Sequence, residues 1–254
     1  MTIGQFAERS GVPYHTLRRL QASGKLMPLV VTDGGHRRYE EWQLDEADKY
    51  VRRMKLLPGE SAIGSEHLEP FFAYLLGLVL ADGTMSDSGQ VQIEMKDGAF
   101  LREVGRHLSA DVHPRKGRPM WQMTVPVAVA NRLSEYRVCP RKGKTGFDIP
   151  SMSRVSFGHF IRGLFDGDGS VHVVSESRVR LRFHGHSRPM GCLQNTFMTE
   201  FGWYFPWVRD KRTAASGQLE TGRHSVVSGL GDLMYSAGGV CLARKKDKLI
   251  REGG

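Results

Sequence analysis

The sequence contains few cysteines, no long apolar run and fewer acidic than basic residues. Of its 254 residues only Cys139, Cys192 and Cys241 are cysteines, and they are spaced neither as a zinc ribbon nor as a closed disulfide framework. The longest apolar run, residues 71–81, is shorter than the roughly 18 residues of a membrane-spanning helix. The sequence therefore argues against a metal ribbon, a disulfide scaffold and membrane association, and favours a cytoplasmic location.

Positive charge dominates the composition. Lys and Arg number 36 against 27 Asp and Glu, which gives a formal net charge of +9, and 40% of the residues are hydrophobic. The apolar fraction is sufficient for a packed core. At about 150 residues per domain, the length allows one large domain, or a large domain with a small companion. Excess positive charge makes a polyanion the first partner to consider.

Residues 1–55 have the pattern of a small winged helix. Ile3, Phe6 and Ala7 have helical spacing, and a second helix is predicted after the turn at residues 11–13. The outward side chains of this second helix are Tyr14, His15, Thr16, Arg18 and Arg19. A polar and basic set of this kind is typical of a recognition helix that enters a DNA major groove.

A glycine turn then separates two short strands, of which the returning strand is basic through Arg37 and Arg38. The segment resembles the MerR and excisionase family of winged-helix DNA-binding domains, in which a helix pair leads into a Gly-Gly-His-Arg-Arg-Tyr wing, here residues 34–39. The resemblance implies that the second helix and the wing contact DNA. Residues 56–70, with proline, glycine and serine but little periodicity, are interpreted as a linker.

The remaining sequence contains two similar units, predicted as residues 71–155 and 156–254. The strings LLGLVLADG at residues 75–83 and IRGLFDGDG at residues 161–169 both predict an apolar helix that ends in Asp-Gly. An alternating strand follows each string. Further predicted elements are helices at residues 100–108 and 193–201, strand-like segments at residues 121–125 and 224–228, and an extended hairpin or loop at residues 209–223.

Long polar side chains line one face of each alternating strand. They are Gln90, Gln92, Glu94 and Lys96 in the first unit and Arg178, Arg180, Arg182 and His184 in the second. No acidic residue interrupts the second set along its strand, which favours a polyanion-binding face over a merely solvated one.

The helix-terminal aspartates, Asp82 and Asp168, indicate a cation site. The C-terminal end of a helix disfavours a carboxylate unless a cation opposes it, whereas the following glycine is expected as an ordinary C-cap. Small residues four apart allow two such helices to pack closely, which would bring the aspartates together. These small residues are Gly77 and Ala81 in one helix and Gly163 and Gly167 in the other. Two carboxylates beside backbone carbonyls favour Mg2+ over zinc, and a basic sheet nearby suggests phosphodiester hydrolysis.

The two strings resemble the paired motifs of the LAGLIDADG homing endonucleases, across residues 70–250. The resemblance implies an α+β fold of two αββαββα halves, joined through the motif helices, whose antiparallel sheets form a saddle over double-stranded DNA. It also implies that Asp82 and Asp168 bind Mg2+, for which Mn2+ is expected to substitute, with the backbone of Ala81 and Gly167 beside them. The polar strand faces would then contact the DNA.

Members of this family also carry a lysine in each half near the scissile phosphates. Lys142 and Lys245 are the positional candidates, and Lys144, Lys246 and Lys248 compete with them. Asp166 corresponds to an acidic position of the namesake motif and is interpreted as a neighbour of Asp168, not as a metal ligand.

These patterns predict a monomeric, Mg2+-dependent endonuclease that makes a double-strand break in a long, non-palindromic DNA target. A transcription regulator with an inactive body is the first alternative, and retention of both aspartates argues against it. An RNA splicing maturase is the second, and the DNA-type winged helix argues against it. A self-splicing intein is not expected, because the sequence lacks the Cys or Ser start and the His-Asn end.

Overall fold

The computed structural model describes residues 1–10, 14–22, 24, 26–32, 34–40, 43, 61–136, 138, 148–175, 178–210 and 216–253. Lys142, Lys144, Cys139 and the first part of the predicted linker lie outside the described residues. Within the described ranges, none of the helices has the length and apolar character needed to cross a membrane.

The N-terminal part is a helix pair followed by a hairpin. Helices α1 (Ile3–Ser10) and α2 (Tyr14–Ala22) precede strands β1 (Val30–Val31) and β2 (Arg37–Arg38), which pair in antiparallel fashion. Apolar side chains from both helices and from the residue after β2 form its core: Phe6, Leu17, Leu20 and Tyr39 are buried. The predicted helix pair and basic hairpin are confirmed, and residues 1–43 are called the head below.

The described residues of the first repeated unit form helix α3, four strands and two further helices. Its elements are α3 (Pro70–Asp82), β3 (Gly83–Met85), β4 (Val91–Met95), α4 (Gly98–Leu108), β5 (Val112–Pro114), β6 (Trp121–Thr124) and α5 (Val127–Glu135). The strands form an antiparallel sheet in the order β3-β4-β6-β5.

The second unit repeats this arrangement, and its described residues include one further helix. Its elements are α6 (Arg154–Asp168), β7 (Gly169–Ser175), β8 (Arg178–His186), α7 (Ser187–Phe201), β9 (Trp207–Arg209), β10 (Ser216–Thr221), α8 (His224–Tyr235) and α9 (Ala243–Gly253). Its antiparallel sheet has the equivalent order β7-β8-β10-β9. The predicted α+β fold with two antiparallel sheets is therefore confirmed.

The alternating strands turn one face inward because every second residue is apolar. Val91, Ile93 and Met95 of β4 are buried, and Leu181 and Phe183 of β8 are buried in the same way. The intervening polar residues face outward. Each sheet therefore packs its apolar face on the helices and presents a polar face on the other side.

One predicted strand is wrong: residues 224–228 lie in helix α8. Val226, Val227 and Leu230 are buried and have helical spacing, so the helix packs its apolar face into the core. The fourth strand of this sheet is β10, which pairs with β9, so the segment predicted as an extended hairpin or loop at residues 209–223 contains the second strand of a pair whose first strand begins earlier, at Trp207.

Helices α3 and α6 pack so closely that glycine is required where they cross. A Cβ on Gly77 would lie 2.0 Å from the main-chain oxygen of Phe160, and one on Gly163 would lie 1.9 Å from that of Tyr74. Real Cβ atoms do not come this close to backbone oxygens. The predicted close approach of the two motif helices is confirmed, and it is nearly symmetrical.

The glycines that end the motif helices differ from the expected C-caps. Gly83 and Gly169 have φ values of −75° and −81°, which are extended and not left-handed. A Cβ would instead lie 2.6 Å from the Val79 oxygen and 2.5 Å from the Phe165 oxygen. Glycine is required here by close packing as each helix turns directly into a strand.

Candidate functional site

The two motif helices bring their terminal aspartates to one place. Asp82 ends α3 and Asp168 ends α6, and both residues are half-buried. A Cβ on Gly167 would lie 2.3 Å from the Cβ of Ala81 and 3.4 Å from the carboxyl carbon of Asp82. Strands β3 and β7 begin at the next residues, so each aspartate lies at the junction of its motif helix with the first strand of its sheet.

The oxygen donors at this point suit a hard divalent cation. Asp82 and Asp168 supply carboxylates, and the preceding residues, Ala81 and Gly167, supply main-chain oxygens. Mg2+ and Mn2+ favour such ligands, and Mg2+ is often held by one or two carboxylates together with phosphate oxygens. Across the described ranges, His, Cys, Asp and Glu form no group of three or more that could hold a metal. Two carboxylates are fewer ligands than Mg2+ needs, so an ion held here would be completed by substrate and water.

Lys245 of α9 caps the C-terminal end of α6. Its buried ammonium donates to the main-chain oxygens of Phe165 at 2.7 Å, Asp166 at 2.7 Å and Gly167 at 3.0 Å. A cation at this pole balances the helix dipole. Burial lowers the pKa of Lys245 to about 8, and the nearby carboxylates, Asp166 foremost, oppose that shift. The sequence predicted a lysine near phosphates, whereas the structure places its ammonium on the backbone beside Asp168.

Asp166 is buried, and its carboxylate is hydrogen-bonded to two other parts of the chain. Its Oδ2 accepts hydrogen bonds from the hydroxyl of Tyr74 at 2.8 Å and from the backbone N–H of Leu242 at 2.9 Å. Its Oδ1 is buried with no hydrogen-bond partner among the described residues. Burial raises the pKa of Asp166 to about 6, although both hydrogen bonds favour the carboxylate. The residue thus links α3, α6 and the segment before α9.

Arg162 is a buried charge that the sequence analysis missed. Its Nη1 donates to the main-chain oxygens of Met234 at 2.9 Å and of Gly238, and its Nη2 lies 3.1 Å from Nδ1 of His159. The guanidinium also lies 5.2 Å from the centre of the Tyr74 ring. Arg162 therefore fixes the end of α8 to the motif helix. In the sequence, the one indication of a structural role for Arg162 was its position inside the second motif string.

The outward face of the second sheet contains an acid that the sequence analysis did not place there. Glu220 of β10 accepts from Nε of Arg182 at 2.6 Å and forms an ion pair with Nε of Arg180 at 3.2 Å. Strand β8 itself carries no interleaved acid, as its sequence shows, but the neighbouring strand β10 brings Glu220 opposite Arg182 on the same face. His184 is exposed, with its Nε2 3.3 Å from Oγ of Ser170.

The first sheet presents a more neutral outward face. Gln92 and Glu94 are half-buried on β4, whereas Gln90 and Lys96, which flank the strand, are exposed. Glu94 forms an ion pair with Arg115, a residue that the sequence analysis missed. The polar residues of the two sheets therefore differ in both type and charge.

The head exposes the predicted basic residues. Tyr14 is 47% exposed at the start of α2, and Arg18 and Arg19 are exposed further along the helix. Arg37 and Arg38 are exposed on β2. His15 and Thr16 belong to α2 and Arg178 begins β8, but the side chains of these three residues lie outside the described part of the chain.

Comparisons with known proteins match separate parts of the chain. Residues 2–39 match the family described as MerR family regulatory protein. A stretch of 145 residues, 55% of the chain, is 28% identical to reverse gyrase of Thermococcus kodakarensis and covers only 8% of that protein.

The structure is similar to the meganuclease I-SmaMI bound to uncleavable DNA, with a TM-score of 0.51 and 10% identity over 72% of this chain and 89% of that one. Full-length DUF199/WhiA from Thermatoga maritima gives a TM-score of 0.47 and 15% identity over 78% of this chain and 63% of that one. The likeness to I-SmaMI, at 10% identity, shows that residues after the head share the fold of that meganuclease, and the match of residues 2–39 shows that the head is MerR-like.

Proposed function

We propose that the chain is a site-specific endonuclease that binds double-stranded DNA across its two sheets and cuts both strands. The meeting of Asp82 and Asp168 at the ends of α3 and α6 carries this proposal. A structural helix pair has no need for two adjacent carboxylates at the pole that disfavours them. A bound cation that faces a phosphodiester would explain why both carboxylates are present at this place.

Asp82 and Asp168 would hold Mg2+, or Mn2+ in its place, with help from the main-chain oxygen of Ala81, whereas the Gly167 oxygen accepts a hydrogen bond from Lys245. When bound, such an ion activates water and stabilises the negative charge of attacking and leaving oxygens. The protein contributes the fixed placement of the carboxylates, which depends on the glycine contacts between α3 and α6. Lys245 contributes a positive charge beside Asp168.

The outward sheet faces and the charge of the chain support DNA as the substrate. The chain carries a net charge of +9, and arginine and histidine side chains occupy the outward face of β8. The similar meganuclease is bound to DNA, and we extend that partner to this chain. Because the outward residues of the two sheets differ, the target would be non-palindromic, and a single chain carrying both aspartates would act as a monomer.

The proposal is tested by incubation of the full chain with a randomised duplex library and Mg2+, followed by sequencing of cleaved ends. We expect one preferred long sequence, cut on both strands at fixed positions, and equivalent products with Mn2+. Asp87→Asn, an exposed aspartate in the turn after β3, serves as a matched control and should cut normally. No cleaved product under either metal would overturn the proposal.

A transcription regulator is the second candidate, and Lys245 favours it. Its ammonium already occupies the Gly167 oxygen, which is one of the expected metal ligands. The head also matches a family of regulatory proteins. A regulator would select the same kind of duplex from the library without cutting it in Mg2+. The maturase alternative would require a preference for RNA over the same DNA duplex.

A further inference from the structure

The head packs directly on the second unit. Tyr204, between α7 and β9, is 3% exposed and belongs to the same buried apolar cluster as Phe6, Leu17 and Leu20 of the head. Met198 of α7 packs against that cluster from the same side. The core of the head is therefore completed by side chains of the second unit, which fixes its position.

A polar contact joins the same two parts. Arg223, which precedes α8, donates from Nη2 to the main-chain oxygen of Ala7 at 3.3 Å. Ala7 belongs to α1, whereas Arg223 follows the end of β10. The contact places α1 beside the end of the second sheet.

A cleft of about 800 Å³ lies between the head and this sheet, and residues of both parts line it. Tyr14 comes from the first position of α2, the end from which recognition helices contact base edges. Arg180 and Glu220 come from the polar face of the sheet. The start of α2 and the outward face of β8 are therefore neighbours.

Strand register shows which end of the sheet carries the head. Gly169, next to Asp168, pairs with Phe183, whereas Arg180 pairs with His172, farther along β7. The cleft is lined by Val174, Val179 and Arg180. The head therefore lies at the end of the sheet remote from the paired aspartates.

From this placement we propose that the head and the second sheet bind one continuous DNA duplex, with α2 on the flank outside the second unit's part of the target. The inference rests on the DNA partner of the proposed function but not on cleavage. The head would lengthen the recognised sequence on one side only, by about 5 to 10 base pairs, on the order of half to one helical turn.

The first test selects duplexes from a randomised library with the full chain in EDTA, so that only binding is measured. We expect one continuous motif. Arg19→Ala should lose preference only at positions of one flank, with affinity reduced about tenfold or more, as for the loss of a base contact. Arg106→Ala, an exposed arginine on α4, is the matched control and should leave the motif and the affinity unchanged.

The second test inserts five or ten base pairs between the flank and the rest of the selected target. A fixed head cannot follow either displacement, so both insertions should weaken binding as much as Arg19→Ala does. Tyr204→Ala and Arg223→Ala, each first checked for folding, should restore tolerance of the ten-pair insertion because they loosen the contact. Tolerance of both insertions by the unaltered chain, a head-dependent flank on the side of the first unit, or no head-dependent flank would overturn the inference.

The outcomes separate this inference from the proposed function. A continuous motif with a head-dependent flank but no cleavage in Mg2+ supports the inference and contradicts the nuclease. Cleavage of a target without a head-dependent flank supports the nuclease and contradicts the inference.

Discussion

The ammonium of Lys245 lies 3.0 Å from the main-chain oxygen of Gly167, the residue that precedes Asp168. The same ammonium binds the oxygens of Phe165 and Asp166, so the last turn of α6 is capped by a side chain. The cation that the helix terminus requires is thus partly supplied by the protein itself. A metal at Asp168 would act beside this fixed charge and not in place of it.

Lys245→Met should destabilise the protein, because three backbone oxygens at the end of α6 lose their donor. We expect a loss of about 1 to 3 kcal/mol in the free energy of unfolding, measured in urea. Lys248→Met, an exposed lysine on the same helix, should change stability little. If Lys245→Met kept full stability and lost only cleavage, Lys245 would act at phosphates and the capping role would be contradicted.

Gly163→Ala should separate or distort the motif helices, since its Cβ would lie 1.9 Å from the Tyr74 oxygen. Overpacking of this kind costs about 1 to 3 kcal/mol, occasionally more. Gly231→Ala is the matched control: it lies in helix α8, where a Cβ meets nothing closer than 3.8 Å, and should stabilise by up to about 1 kcal/mol. Equal unfolding midpoints for the two variants would contradict the packing account.

The sequence predicted the helix contact and the sheets because their signals are local. Gly77 and Gly163 recur at the same place in two similar strings, and the apolar residues of β4 and β8 alternate strictly. Helix α8 was mistaken for a strand because its first five residues, with adjacent Val226 and Val227, are too few to show a helical period.

Long-range pairings could not be predicted in this way. Glu220 meets Arg180 and Arg182 only through the register of β8 with β10. Lys245 was chosen by its place after Cys241, but its contacts with α6 depend on how α9 packs. No pattern in the sequence around Tyr204 indicates that its side chain would complete the core of the head, which ends some 160 residues earlier in the chain.

The stability of the protein should depend on the ionisation of Asp166. Burial raises the pKa of Asp166 from 3.8 to about 6, so between about pH 4 and 6 the native state holds this proton more tightly than the unfolded state. Stability should therefore fall as pH rises through this window, by about 2 to 3 kcal/mol, and this contribution should be constant above it. Urea unfolding in EDTA measures the effect.

Asp166→Asn provides the comparison, because it removes the titration and can still accept the bonds from Tyr74 and Leu242. The difference in unfolding free energy between the two proteins should follow pH only between about 4 and 6. A difference that is constant across this range would contradict the buried environment assigned to Asp166. We expect Asp166→Asn to retain cleavage.

Glu220→Gln should strengthen DNA binding by removing a negative charge from the outward face of the second sheet. Arg180 and Arg182 would become available to phosphates, so the salt dependence of binding should steepen, by about 0.9 in the logarithmic slope for each additional phosphate that they neutralise. Glu135→Gln, an exposed change on α5, is the control. An unchanged slope would mean that these arginines do not contact DNA.

The proposed function depends on Asp82 and Asp168 together holding the metal ion that DNA cleavage requires. The most direct measurement compares Mg2+-dependent cleavage of the selected target by the unaltered chain, Asp82→Asn and Asp168→Asn, with unfolding and binding in EDTA measured in parallel. We predict that both variants fold and bind at least as well, because two adjacent like charges no longer repel, and that neither makes a double-strand break. Loss of cutting on both strands would indicate a shared ion, and nicking of one strand would indicate separate ions. Full double-strand cleavage by either variant would contradict the account.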